Sequence, residues 1–420
     1  MRFPAVHAFA LFLSILATSS RAADWKQFRG AGGLGVSDEK NLPLKWSSDE
    51  NVAWKTPLPG PGSSCPTIIG RRIYLTCYSG YGLEPNVGDQ KDLRRHLLCF
   101  DRGTGSVLWS RQFEPQLPES KYEGEGSYQG YSASTPTTDG ERLYVFFGKS
   151  GVFCFDLEGS EVWHVSVGEG THHWGSGTSP VVFGNLLLVN ASVESGSLVA
   201  LDKLTGKEVW RAGGINSAWD TPLVVEGKQG TEVVVSIQKR LLSFNPLDGK
   251  PLWNAEGIDR YICPSVVSHG DVIYAIGGGH TSLAVRTGGS GDVTASHTVW
   301  KQNKGSNVSS PVYLDGHLYW ASDNGGVVCC QNASTGETVF QERLEPGPGN
   351  IWSSALLADG KLYFVSQHAG TYVVAARPQF EQLAHNVFAD DDSRANATPA
   401  VSNGQLFLRT DRNLYCIGKK

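Results

Sequence analysis

The residues best equipped for chemistry gather at a few points of this 420-residue chain. His172-His173-Trp174 puts two imidazoles beside an indole, and Trp219-Asp220 puts a carboxyl group beside another. Tyr131, Tyr261, Trp352 and Arg394 occupy comparable places, each shortly before a predicted strand. Aromatic faces with a few polar groups are the usual make-up of a small-molecule site. These residues are therefore the candidate ligand-binding set. Adjacent histidines in an extended segment point to opposite sides, and no metal-ligand spacing surrounds His172 and His173. No metal site is expected there. No Ser/His/Asp or paired-carboxylate arrangement stands out, so no residue is assigned as catalytic.

The elements that must position these residues are set by a repeat. An aromatic closes the same short phrase at Trp54, Trp109, Trp163, Trp210, Trp253, Trp300, Phe340 and Phe388. The clearest copies end in Asp101-Arg-Gly-Thr-Gly-Ser-Val-Leu-Trp109 and Asp202-Lys-Leu-Thr-Gly-Lys-Glu-Val-Trp210. Successive aromatics lie 40 to 55 residues apart, and short strands repeating at that period mean a propeller with one blade per period. Each repeat opens on a second phrase, a small hydroxyl or thiol residue before Pro or Ala. The copies are Cys65-Pro66, Thr135-Pro136, Ser179-Pro180, Thr221-Pro222, Cys263-Pro264, Ser310-Pro311, Ser354-Ala355 and Thr398-Pro399. That phrase starts the inner strand A, which turns at a glycine into strand B. Strand C leads into the Asp turn, and strand D carries the aromatic. The expected fold is all-β, an eight-bladed β-propeller of four-stranded blades. The last repeat lacks its outer strand, which Val52-Ala-Trp54 supplies to close the ring. The eight aromatics are read as blade-interface packing. Asp101, Asp156, Asp202 and Asn245 are read as turn-formers.

Repeats ending in Asp-x-x-Thr-Gly-x-x-x-Trp resemble the quinoprotein-type, PQQ-repeat eight-bladed propellers. That family includes pyrroloquinoline quinone (PQQ) dehydrogenases and a non-enzymatic lipoprotein that helps assemble outer-membrane barrels. The dehydrogenase side of the resemblance implies PQQ with calcium. Trp219-Asp220 is similar to a Trp-Asp segment of those enzymes, and Arg240, Arg260 and Arg394 are the cations available to PQQ carboxylates. The calcium ligands find no residue-by-residue match, and no haem-attachment motif is present. Some of these dehydrogenases carry a vicinal disulfide over the cofactor. Here Cys329-Cys330 lies inside a predicted strand C, with Cys329 matching Cys99 and Cys330 matching Phe100, and is read as two buried thiols.

Strand alternation sorts the insertions. Loops from D to the next A, and from B to C, share one face. The 79–96 and 112–132 inserts both point there, together with the candidate set. The Thr287 to Ser296 C–D loop of blade 5 faces the other way and reads as a Gly-rich spacer.

Residues 1–22 read as a signal peptide, with Arg2, an apolar run over Ala8 to Ala17 and small residues at Ser20 and Ala22. Residues 23–420 are then one exported propeller domain, periplasmic or extracellular. No later run is apolar enough for a membrane span, and no cysteine precedes Cys65 to carry a lipid anchor. A net charge of −5 without a basic block excludes nucleic-acid binding. Cys99, Cys154, Cys329 and Cys416 share one repeat position, too far apart for bridging. Cys65 and Cys77, symmetric about Arg71, leave a disulfide open. The expected function is a monomeric binding or scaffold module for an unknown protein or small-molecule ligand. The alternative is a PQQ- and calcium-dependent dehydrogenase of an alcohol or sugar.

Overall fold

A computed structural model describes residues 24–278 and 280–419. The expected signal peptide at 1–22 lies outside these residues. Eight sheets form the eight blades of a β-propeller. The first blade contains Thr67–Ile69, Arg72–Ser79, Arg94–Asp101 and Val107–Phe113, each antiparallel to the next. The eighth contains Ala400–Ser402, Gln405–Arg409 and Asn413–Ile417. Its outer strand is Val52–Pro57, with Trp54 opposite Cys416. The N-terminal closure read from the sequence is thus the closure observed.

Strands B and C are buried on both faces and read as apolar runs such as Leu143-Tyr-Val-Phe146. The core is a set of layers between neighbouring blades. One layer joins Tyr144, Cys154 and Trp163 of blade 2 to Leu187, Val189 and Val199 of blade 3. Another joins Tyr319 and Cys330 of blade 6 to Leu362, Phe364 and Tyr372 of blade 7.

The repeated aromatic locks each blade to the next. Trp54, Trp109, Trp163, Trp210 and Trp300 donate their indole N–H to a carbonyl in the following blade's C–D turn, at 2.8–3.2 Å. Each ring also lies flat on that turn's glycine. A Cβ on Gly105 (φ +74°) would come within 2.5 Å of Trp54. This is why the turn ends in Gly: left-handed backbone and direct ring contact both exclude a side chain. The turn itself is held by its leading residue, as where Asp101 Oδ1 accepts from the Gly103 and Thr104 N–H groups. Trp253 departs from the pattern. The blade 5 C–D loop lacks the turn, so its indole donates to Glu232 Oε2 at 2.6 Å instead.

That loop is not a spacer. Gly291–Asp292 pairs parallel to Trp253–Asn254 as a fifth strand on blade 4, and Asp292 bridges Arg240 at 2.8 Å. The physical reason is that the outer edge of blade 4 is otherwise open.

Around the axis, the opening residues of strand A form a closed hydrogen-bonded ring. The backbone N–H of each donates to the side chain of the next, from Cys65 to Thr135, Ser179, Thr221, Ser265, Ser310, Ser354 and Thr398. The Thr398 N–H then meets the Cys65 sulfur and closes the circle. In blade 5 the ring member is Ser265, not Cys263. Ser265 stands two residues before its strand, as Cys65 and Thr135 do, and the Pro after Cys263 misaligns the phrase.

Two further cysteine readings change. Strand A pairs Thr67 with Tyr74, which sets Cys65 across from Thr76. Cys77 is one residue off and faces the other side of the sheet; both thiols are free. In blade 6, Asn332 takes the place of Asp101, its side chain accepting from Ser334 and Thr335. The match to Cys99 is therefore Cys330, opposite Phe340, rather than Cys329. Cys329 packs toward blade 5 and Cys330 toward blade 7, two free thiols on opposite faces.

Candidate functional site

The two inserts of blade 1 pack on each other at the loop face. Glu119 and Gln90 exchange hydrogen bonds at 2.7 and 3.0 Å. Tyr81 Oη accepts from the Tyr122 N–H at 3.1 Å. Tyr131 fills the centre, within 5.4–6.1 Å of the Tyr78, Tyr81 and Tyr122 rings. Underneath, Arg95 and Glu119 form a buried ion pair at 2.7 Å. Residues 124–130 continue as a strap across the channel mouth. Arg394 holds the Ser127 carbonyl at 3.0 Å, and Asn396 holds that of Tyr128 at 3.1 Å.

Beneath the strap, two cavities lie one above the other on the axis. The upper, about 130 Å³, is lined by Tyr128, Trp174, Tyr261, Trp352, Asn307 and Asp323. The lower, about 100 Å³, shares Gln129, Cys263, Val308 and Trp352 with it and reaches Trp219 and the hydroxyl ring at Ser310, Ser354 and Thr398. Phe28 is also part of the lower lining.

Of the candidate set, His172, His173, Trp174, Trp219 and Tyr261 form one continuous array. Trp174 lies 5.0 Å from Trp219 and 4.3 Å from Tyr261, ring to ring, and His172 lies 4.8 Å from Trp219. Trp352 joins from across the mouth through Tyr128, at 5.1 Å. Asp220 is fully buried below the array. It accepts from the Ser236 N–H at 2.9 Å and from Asn190 Nδ2 at 3.3 Å. Burial holds its carboxyl well above the usual range. Arg394 is engaged by Asp411 at 3.2 Å and by the strap. Tyr131 and His172 border a third, lateral cavity of about 30 Å³, one-water size.

Several residues of this site were not singled out by sequence reasoning. Asp323 and Tyr128 are two; the face rule for B–C and D–A loops was the signal that points to them. Glu194 is another. Only 5% exposed, it accepts from the Ser176 hydroxyl, and burial pushes its carboxyl up to about 7. Nothing in its local sequence marks it, because its environment comes from three blades' loops.

The family model for the outer membrane protein assembly factor BamB matches residues 28–172 and 148–382. The chain belongs to that family. No curated protein matches the sequence. Among solved structures, BamB from Moraxella catarrhalis is 14% identical over 88% of this chain and 97% of its own, with a TM-score of 0.61. A europium-containing methanol dehydrogenase is 10% identical over 92% and 89%, at 0.65. A quinohemoprotein alcohol dehydrogenase from Pseudomonas putida HK5 is 10% identical over 95% and 81%, also at 0.65. At such identities the likeness is one of fold, shared by assembly factor and dehydrogenase alike.

The residues present do not fit PQQ with calcium. The axial cavities hold about 100 and 130 Å³, against the roughly 300–1,000 Å³ of ordinary cofactor pockets. Arg394 is tied to Asp411, Arg240 to Asp292, and Arg260 is exposed. Calcium needs several oxygen donors converging on one point. Among the described residues no group of three or more His, Cys, Asp or Glu converges in that way.

Proposed function

We propose that the chain is an exported binding and scaffold module that docks a protein partner on its loop face. The observation that carries this reading is the insert platform. Leu83, Val87, Leu117 and Tyr128 stand 53, 55, 47 and 47% exposed on two loops that are otherwise tightly cross-braced. Exposed apolar side chains grouped on one rigid surface mark interaction sites, and a braced loop loses little entropy on docking. Membership in a family described by an assembly factor supports the same reading. The rest of the disc supplies rigidity and the hydroxyl ring, neither of which requires chemistry.

The test places a photo-crosslinking residue at Val87, with a control at Leu247, which is 66% exposed on a C–D turn of the opposite face. In the organism's envelope, Val87 is expected to capture one discrete partner and Leu247 none. Equal capture at both would overturn the reading. So would a melting-temperature rise with PQQ plus calcium that vanishes in Trp219→Ala, which would restore the alcohol or sugar dehydrogenase.

A further inference from the structure

The axial funnel is not absorbed by docking on the inserts. Its upper cavity has an unusual composition. Tyr128, Trp174, Tyr261 and Trp352 supply aromatic walls, and among the described residues one carboxyl group, that of Asp323, joins them. The rings meet edge to face: Trp174 with Tyr261 at 75° and Tyr128 with Trp352 at 68°. All four line the same cavity, and the negative quadrupole of an aromatic face favours a cation placed over it.

Asp323 is 7% exposed. It is fixed by Asn307, whose backbone N–H and side-chain Nδ2 donate to its two oxygens at 3.1 and 2.9 Å. Those donors orient the carboxyl group in the cavity wall. No Lys or Arg among the described residues pairs with it; the axial arginine, Arg394, belongs to Asp411. Burial, aided by the Asp220 and Asp323 carboxyls, pushes the Cys263 thiol up to about 12. A cation seated in the cavity would meet acceptor oxygens already held in place.

The volume sets the size of the guest. A cavity of about 130 Å³ suits a head group of a few heavy atoms. The connected cavity of about 100 Å³ ends on Ser310, Ser354 and Thr398, which suit a short hydroxylated tail. A head rich in methyl groups would bury apolar surface on the rings as well. An anion is disfavoured by Asp323, and a bare metal ion by the aromatic lining.

We propose that the mouth of the axial channel binds a small organic cation, a primary or quaternary ammonium, caged by Tyr128, Trp174, Tyr261 and Trp352 with Asp323 as its counter-charge. Asn307 is a positioning residue, and the 124–130 strap, carrying Tyr128, closes the cage from above. Apart from Tyr128 and the strap the site lies outside the insert platform, and Val87 is no part of its lining. Crosslinking at Val87 and cation binding therefore succeed or fail independently.

The test uses the full mature chain with choline as probe and 3,3-dimethylbutan-1-ol as its uncharged isostere, read by calorimetry and by tryptophan fluorescence. Choline is expected to bind and to quench the emission, with the isostere weaker by roughly tenfold or more. Trp352→Leu, at a half-buried position, and Asp323→Asn are each expected to weaken choline by roughly tenfold while changing the isostere little. Should Asp323→Asn fail to fold, as judged by melting, Trp352→Leu carries the test alone. Equal affinity for choline and the isostere would overturn the proposal. So would no binding by the wild type, or choline binding unchanged in Trp352→Leu.

Discussion

The two ends of the axial channel are built from the same eight blades and are opposites. At the loop face the channel opens into an aromatic mouth with a buried carboxylate. At the far end the chain's own N-terminal segment closes it. Trp25 bridges to Ile68 of blade 1, and Val36–Ser37 pairs parallel to Leu357–Ala358 of blade 7. Between them Phe28 reaches the lower cavity, and the Arg29 guanidinium is fully buried, donating to the Leu34 and Pro311 carbonyls. Burial, only partly offset by the Cys65 thiol, lowers that guanidinium to about 9. The repeat makes the walls alike. What makes the ends differ is sequence that does not repeat: one stretch before the first blade, the two long inserts at 79–96 and 112–132, and the loops that carry Trp174, Tyr261, Asp323 and Trp352. A propeller is thus free to close one end for stability and shape the other for binding.

The sharpest way to break this comparison is to attack the closed end. Trp25→Ala removes a ring only 3% exposed that packs directly on Gly30. It is expected to cost about 3–5 kcal/mol in denaturant unfolding. A cost as small as that of a mouth substitution would mean that the plug is not structural.

Next in size is a pH effect beside the mouth. The Glu194 carboxyl is raised from 4.5 to about 7 by burial. The folded state therefore holds its proton more tightly than the unfolded state. The associated stability is full below about pH 4.5 and is lost as pH rises through about 7. Glu194→Gln is expected to leave stability near pH 4 unchanged and to raise it at pH 8, by on the order of 2–3 kcal/mol. Parallel stability–pH curves for the two proteins would contradict the assignment.

Loosening the strap should be milder. Arg394→Ala removes the bond to the Ser127 carbonyl and the ion pair with Asp411. The expected loss is about 1–2 kcal/mol, with faster amide exchange confined to residues around 124–130. Exchange that accelerates evenly across the disc would argue against a local strap. The smallest effect is assigned to Tyr128→Ala. This half-exposed ring is expected to change global stability by less than about 0.5 kcal/mol, in contrast to Trp25.

Most of the fold was legible because it repeats. The aromatic phrase, the Asp turn and the outer strand at Trp54 each recur or complete a recurrence, so their roles follow from alignment with the other copies. Alignment also misled in places. Cys263-Pro264 mimics the strand A phrase that Ser265 actually fills, and Asn332 standing for Asp shifts Cys330 into the slot assigned to Cys329. Single-residue slips of this kind are invisible to composition, yet they turn a side chain to the opposite face of a strand.

The site was legible only in part. Strand alternation puts His172, Trp174, Trp219, Tyr261 and Trp352 on one face, and the structure gathers them at the mouth. It could not say that Asp220 would be sealed below them while Asp323 stands in the cavity wall. By itself the sequence determined the architecture: eight copies of a strand grammar, with hydrophobic periodicity and turn chemistry agreeing at every level. Only the tertiary structure decided which end of the channel is open, which carboxylate faces it, and how the strap and plug cross it. Those outcomes depend on contacts between segments up to hundreds of residues apart, such as Arg394 with Ser127 and Arg29 with Pro311. Local pattern carries no record of such pairs, because their geometry exists only once the ring has closed.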